Sequence, residues 1–270
     1  MKKNPFKLVV AITGATSGIG KAMARQYLAM GAQVAVCGRS MNNLHEMDVE
    51  MQSEDFIGVQ ADVSIQEQAE NFIYTTIAHF GKLDILINNA GISMRALVED
   101  VDVQVLEQLM AVNYWGMVYC TKAALPQIKE NKGTIAGISS IAGYKGLPGR
   151  CAYSSSKFAM QGFLESLRIE QLKTGVNVIW VSPGFTASNI RNTALAADGS
   201  SQGETPLDEG KLMSAEECAE IIIKAISRRK RSLVMTLQGK MLVLVNKFFP
   251  KFADKMVYNH FKKEADSPLS

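Results

Sequence analysis

The sequence predicts an α/β domain built as one doubly wound parallel sheet with helices on both faces. Three observations predict it. Short continuous apolar runs alternate with stretches that carry apolar residues at helical spacing. A glycine-rich turn joins the first such run to the first helical stretch. No linker and no internal repeat divides the 270 residues. That length favours one large domain over two small ones. Hydrophobic residues make up 47% and charged residues 20%, which excludes a disordered chain. No apolar run reaches the roughly 18 residues of a membrane span.

The elements follow in order. Residues 8–12 (LVVAI) form a run that reads as a strand buried on both faces. Apolar positions 19, 22, 23, 27 and 30 mark a helix face, and Gly31 ends it. VAVC at 34–37 and FIGV at 56–59 are the next strands. Ile65, Ala69, Phe72, Ile73, Ile77 and Phe80 mark a second helix face, stopped by Gly81. LDILIN at 83–88 is a strand. Residues 102–130 read as one long helical stretch, with Pro126 as a bend or break near its end. GTIAGIS at 133–139 is a strand, 151–173 a helix ending near Gly175, and VNVIWVS at 176–182 a strand. SLVM at 232–235 is the last strand. Residues 184–213, rich in Gly, Ser, Thr, Asn and Asp, are the least regular stretch. They read as a lid or substrate loop with some helix of its own.

Other classes of site are disfavoured. Cys37, Cys120, Cys151 and Cys218 lie far apart without a CxxC, so neither a disulfide scaffold nor zinc is expected. His45, His79 and His260 form no metal-binding pattern. The start, MKKNPFKLVVAITG, lacks the long apolar core of a signal peptide, and a cytoplasmic chain is expected.

The turn Thr13-Gly14-Ala15-Thr16-Ser17-Gly18-Ile19-Gly20 sits between a strand and a helix. Glycines there let the backbone approach a pyrophosphate, and the helix start offers free N–H groups and a positive dipole end. The spacing is G-x-x-x-G-x-G, which fits neither the usual G-x-G-x-x-G nor a P-loop. A plain tight turn stays open on this motif alone. The second strand ends Cys37-Gly38-Arg39-Ser40, with no carboxylate to hold a ribose 2′-OH. Arg39 suits a 2′-phosphate instead, so NADP(H) is preferred over NAD(H). Ser40 adds a hydroxyl, or serves only as a helix N-cap.

Tyr153 and Lys157, four residues apart in YSSSK, share a helix face. A cation beside a phenol lowers its pKa and makes it a usable proton donor near neutrality. Ser139 and Ser140 end a strand at the edge where open α/β sheets bind ligands. Asn113 and Asn88-Asn89-Ala90-Gly91 complete the polar set.

With these motifs the chain resembles the short-chain dehydrogenases/reductases, on a Rossmann-type fold. The motifs are TGATSGIG (13–20), Asp62 in ADV, NNAG (88–91), Asn113, Ser140, YSSSK (153–157) and Pro183-Gly184. The resemblance covers residues 7–190 closely. It implies an oxidoreductase in which Tyr153 is the acid in ketone reduction and the base in alcohol oxidation. Lys157 would lower the Tyr153 pKa and hydrogen-bond the nicotinamide ribose. Ser140, thirteen residues before Tyr153, would bind the substrate oxygen, and Asn113 would anchor a water relay to Lys157. Gly14, Ser17, Gly18, Ile19 and Gly20 would surround the pyrophosphate, and Asp62 and Val63 the adenine. Asn89, Ala90 and Gly91 would border the adenosine ribose. Pro183, Gly184, Phe185 and Thr186 would pass the nicotinamide, with Ser188 in place of a frequent threonine. Some NADP-using members carry a basic residue where Ser17 stands, so the NADP(H) preference rests on Arg39. The implied substrate is a small-molecule carbonyl or alcohol, and the implied assembly is a homodimer or homotetramer formed through 102–130 and 151–173.

Residues 228–270 carry ten Lys/Arg against three acids, net +7, whereas the whole chain carries +3. Lys240, Lys247, Lys251 and Lys255 share a helical stripe beside Met241, Leu244, Val245, Phe248, Phe249 and Phe252. That pattern fits a helix in a membrane interface, or one packed on its own or a partner subunit. Pro250 breaks any single long helix here. Bulky apolar residues between the lysines disfavour nucleic acid. The tail and residues 149–170 resemble family members that reduce lipophilic carbonyls, the 11-beta-hydroxysteroid dehydrogenase-like enzymes and 3-ketosphinganine reductases. The expectation is an NADPH-dependent reduction of a lipophilic ketone. The alternatives are NAD-dependent alcohol oxidation, a non-catalytic nucleotide-binding scaffold, and a membrane-surface protein whose tail is its function.

Overall fold

The computed structural model describes residues 7–184, 186, 190–203, 212–264, 267 and 269. Seven strands form one sheet: β1 (Val9–Thr13), β2 (Gln33–Gly38), β3 (Phe56–Gln60), β4 (Ile85–Asn88), β5 (Thr134–Ile138), β6 (Asn177–Ser182) and β7 (Ser232–Val234). Their order is β3-β2-β1-β4-β5-β6-β7, and every neighbouring pair is parallel. The predicted Rossmann-type doubly wound sheet is the observed one. Each strand foreseen from an apolar run is present, with ends within two residues of expectation. The start of β4 shows why ends drift. Asp84 accepts a hydrogen bond from the Val9 N–H on its side chain, 2.8 Å, and so precedes the regular ladder.

The continuous apolar runs are explained by burial on both faces. Along β1, Val10 and Ile12 face one core with Tyr27, Leu44 and Ile222, while Val9 and Ala11 face another with Phe72, Leu86 and Leu164. The first core lies under α1 (Gly18–Ala29), α2 (Met41–Met51) and α7 (Ala215–Ser227). The second lies under α3 (Gln66–Phe80), α5 (Gly116–Glu130) and α6 (Cys151–Glu170). A smaller cluster of Met94, Val105, Leu109 and Ala152 joins α4 (Val103–Met110) to the start of α6.

Two helical readings need correction. The stretch 102–130 is not one helix bent at Pro126. It is α4, a π-helical turn at Ala111–Trp115, and α5, which runs through Pro126 to Glu130. The break in regularity comes from one extra residue per turn, the usual form of a π-bulge, and it carries Asn113. Helix α7 has no counterpart in the sequence reading. Its signal is Ser214-Ala-Glu-Glu217, in which the Ser214 hydroxyl accepts from the Glu217 N–H at 3.1 Å. In 184–213 the described residues form turns and isolated bridges such as Met94–Leu195 and Thr186–Met213, without a helix among them.

The tail is a helical hairpin, α8 (Leu237–Phe248) and α9 (Pro250–Phe261). Pro250 opens the second helix, where its missing N–H costs nothing, so the lysine stripe is split between two helices. Helix α9 buries Ala253, Val257 and Phe261, whereas α8 buries only Gly239. Met241, Leu244, Phe248, Phe249 and Phe252 stay exposed. Among the described residues no helix is long and apolar enough to cross a membrane.

Candidate active site

Strand order reverses between β1 and β4, and crevices at such switch points hold ligands. Here the two strand ends are locked together. Thr13 Oγ1 accepts from the N–H groups of Asn89 and Ala90, each at 3.0 Å. Asn89 Nδ2 donates to the carbonyls of Thr13 and Gly14, both at 2.9 Å. The glycine turn is therefore clamped against NNAG. Gly14 has φ +61, and a Cβ there would lie 2.6 Å from Ala90 Cα. At Gly20 a Cβ would meet Asn89 Nδ2 at 2.5 Å. Any side chain at either position would also displace this lock.

Below the turn opens a cavity of about 560 Å³, large enough for a cofactor-sized ligand. Gly14, Ser17, Gly18, Ile19 and Gly20 line one end, at the start of α1. Ser17 precedes α1 without a side-chain capping bond. Arg39, Asp62 and Val63 line the same end, and Asn89, Ala90 and Gly91 the middle. Ser140, Tyr153, Lys157, Pro183, Gly184 and Thr186 line the other end. Ser40 does not line it: it is the N-cap of α2, its hydroxyl accepting from the Asn43 N–H at 3.3 Å. Phe185 and Ser188 lie outside the described residues. A carboxylate could not stand at Gly38 without moving Thr16, whose Cγ2 is 2.6 Å from a Cβ built there.

The chemical end is organised by α6. The Tyr153 phenol faces the Ser140 hydroxyl, which itself accepts from the Ala142 N–H at 3.2 Å. Ser139 is engaged elsewhere, accepting from Gln161 Nε2 at 2.8 Å, which separates the two serines in role. Lys157 is 3% exposed, and its Nζ donates to the Ile138 carbonyl at 2.8 Å. Asn113 is fully buried beneath the cavity. Its Oδ1 accepts from the Ile92 N–H at 2.8 Å, and its Nδ2 donates to the Ile92 carbonyl and to Ser156 Oγ. A Cβ on Gly91 would lie 3.2 Å from Asn113 Oδ1 and 3.5 Å from Lys157 Nζ, so the three meet at one corner.

Burial pushes the Tyr153 phenol above its ordinary value, opposed by the Ser140 hydroxyl and the charges of Arg150 and Arg191. The Lys157 ammonium lies 5.7 Å from the Tyr153 ring centroid and donates to the Ile138 carbonyl. Burial lowers Lys157 itself to about 8. Sequence reasoning missed Arg150, Arg191 and Phe261, all of which line the cavity. No motif marks them: Arg150 sits just before the helix that carries Tyr153, whereas Phe261 comes from the far end of the chain.

The fold and this arrangement define a class, the α/β oxidoreductases that work with a bound dinucleotide. Comparison with known proteins narrows it. A family model described as short chain dehydrogenase matches residues 8–198. Dehydrogenase/reductase SDR family member 7B of Rattus norvegicus is 36% identical over 97% of this chain and 84% of its own length. 11-beta-hydroxysteroid dehydrogenase A of Arachis hypogaea is 34% identical over 94% of this chain and 75% of its own. A short-chain dehydrogenase structure from Streptomyces avermitilis superposes with a TM-score of 0.80 at 25% identity, covering 95% of this chain and 98% of that one. The chain belongs to the short-chain dehydrogenase/reductase family. It is an NAD(P)-dependent oxidoreductase acting on CH–OH and C=O groups.

Proposed function

We propose that this enzyme uses NADPH to reduce a lipophilic ketone to a secondary alcohol. The observation that carries the reading is that Ser140, Tyr153 and Lys157 line the same cavity as the Gly14–Gly20 turn. The cradle of Gly14 and Gly20, which a Cβ would fill, suits a close-packed pyrophosphate. Bound NADPH supplies a hydride to the carbonyl carbon. Tyr153 donates its phenolic proton to the carbonyl oxygen, and Ser140 holds that oxygen as negative charge builds on it. With the cofactor bound, Lys157 would hold the nicotinamide ribose and would return a proton to Tyr153, and Asn113 positions the segment at Ile92 that frames this corner. Phe185 and Ser188 stay assigned to the nicotinamide side by resemblance.

Arg39, exposed at the adenosine end, is the residue proposed to read the 2′-phosphate. Titration of NADPH and NADH should show tighter NADPH binding. Arg39→Asp should weaken NADPH by about tenfold or more and leave NADH within about twofold. Equal binding of both by the wild type would remove the NADPH assignment and favour alcohol oxidation with NAD.

The substrate and the tail fit together. The exposed Phe248, Phe249 and Phe252, in the same hairpin as Lys240, Lys247, Lys251 and Lys255, suit the surface of an anionic bilayer, where a lipophilic ketone resides. Vesicles containing phosphatidylserine should co-sediment the wild type and release Phe248→Ser. If that variant instead dissociates an oligomer in sedimentation velocity, the hairpin is a subunit contact. Exposed Trp115 and Phe158 offer further apolar surface to a second copy in the proposed homodimer or homotetramer.

A further inference from the structure

We propose that the C-terminal helix is a wall of the substrate pocket, with Phe261 the residue that limits substrate bulk and Glu264 the residue that holds this wall shut. The inference rests on the carbonyl-reductase reading and deepens it.

Phe261 lies 108 residues after Tyr153 in the chain, yet both line the same cavity. It is 6% exposed. The same lining includes Leu147, Ile190 and Leu195, so the cavity that holds Tyr153 presents an aromatic ring and aliphatic groups to an incoming substrate. The cationic groups near it are occupied. The Arg150 guanidinium lies 4.7 Å over the Phe261 ring and pairs with Glu264, NH2 to Oε2, at 3.2 Å. Arg191 NH2 donates to the Thr186 carbonyl at 2.9 Å.

Glu264 fastens three separate pieces. Besides Arg150, at the entry of α6, it faces Arg95 at 3.6 Å. Arg95 belongs to the segment that pairs with Leu195: its N–H donates to the Leu195 carbonyl at 2.9 Å. The Glu264 side chain is 6% exposed, and both arginines are largely buried. A charge so buried is held only while its partners stay in place, so removing it loosens all three pieces. The hairpin is pinned again at its far side. Lys145 pairs with Asp254, and Asn246 Nδ2 donates to the Tyr144 carbonyl at 2.9 Å. These contacts make the tail a built part of the site. Its outer face stays free for the surface contact proposed above.

The test compares the wild type, Phe261→Ala and Glu264→Gln in the full chain. Kinetics use NADPH with cyclohexanone, 2-decalone and a long-chain 2-alkanone. Hydrogen exchange is followed across 250–261. Phe261→Ala should raise kcat/KM for 2-decalone relative to cyclohexanone by about tenfold or more, with the NADPH Kd unchanged. Glu264→Gln should shift the same ratio in the same direction and speed exchange in α9. A ratio that stays constant in both variants overturns the assignment of Phe261. Exchange in α9 that is equally fast in wild type and Glu264→Gln overturns the clamp. If the wild type reduces none of the ketones, the carbonyl-reductase reading fails. The wall is then judged by exchange alone: slow in the wild type and fast in Glu264→Gln supports it, and any other pattern overturns it.

Discussion

Tyr153→Phe should lower turnover by about 10²- to 10⁴-fold while the NADPH Kd stays within about twofold. Phenylalanine keeps the ring in its packed position and removes only the hydroxyl. That hydroxyl is the proposed proton source, and it faces Ser140, whose own oxygen accepts from the Ala142 N–H at 3.2 Å. The phenol is also desolvated, which pushes its pKa up and favours its neutral, proton-bearing form. Steady-state kinetics with a fluorescence titration of NADPH separate chemistry from binding. Turnover close to wild type would remove Tyr153 from the mechanism. A matching loss of NADPH binding would make it a cofactor residue only.

Lys157→Met should do two opposed things: lower turnover by about 10²-fold or more and raise the thermal stability of the cofactor-free enzyme by about 5 °C. Burial holds Lys157 at about 8, below its ordinary 10.5. Between those values the unfolded chain binds the proton and the folded chain releases it, so stability rises with pH across that window. The full difference corresponds to about 3 kcal/mol. Below pH 8 the folded state carries an ammonium out of water, which methionine would not. The gain is reduced by about 1 kcal/mol, because the Ile138 carbonyl loses its donor. Melting curves from pH 7 to 10.5 test this. The wild type should gain stability with pH, and Lys157→Met should lack that gain. A variant less stable than wild type at pH 7 would refute the account.

The fold was legible because its strands are buried on both faces. VVAIT, QVAVCG and NVIWVS carry no alternation to confuse with a surface sheet, and the glycine turn marks the first crossover. The site was legible where a short motif carries it, as in YSSSK and NNAG. What stayed hidden was of two kinds. Spacing rules count through a π turn, so the apolar face of 102–130 read as continuous and Pro126 drew the attention that Ala111–Trp115 needed. The other kind is long-range. Glu264 meets Arg150 across 114 residues, a pairing no window of sequence contains. The bond of Lys157 belongs there too: an i, i+4 spacing places it on the Tyr153 face but does not say that its ammonium donates to the Ile138 carbonyl.

The π turn at Ala111–Trp115 also constrains how this gene can change. Loss of a single codon there would let α4 run into α5 as one uninterrupted α-helix, a locally more regular structure. It would also rotate one side against the other by about 100° and swing the Asn113 amide away from Ile92 and Ser156. The extra residue and the buried amide can therefore be lost only together. Descendants of this gene should vary in length at the loops and keep their count across these five positions.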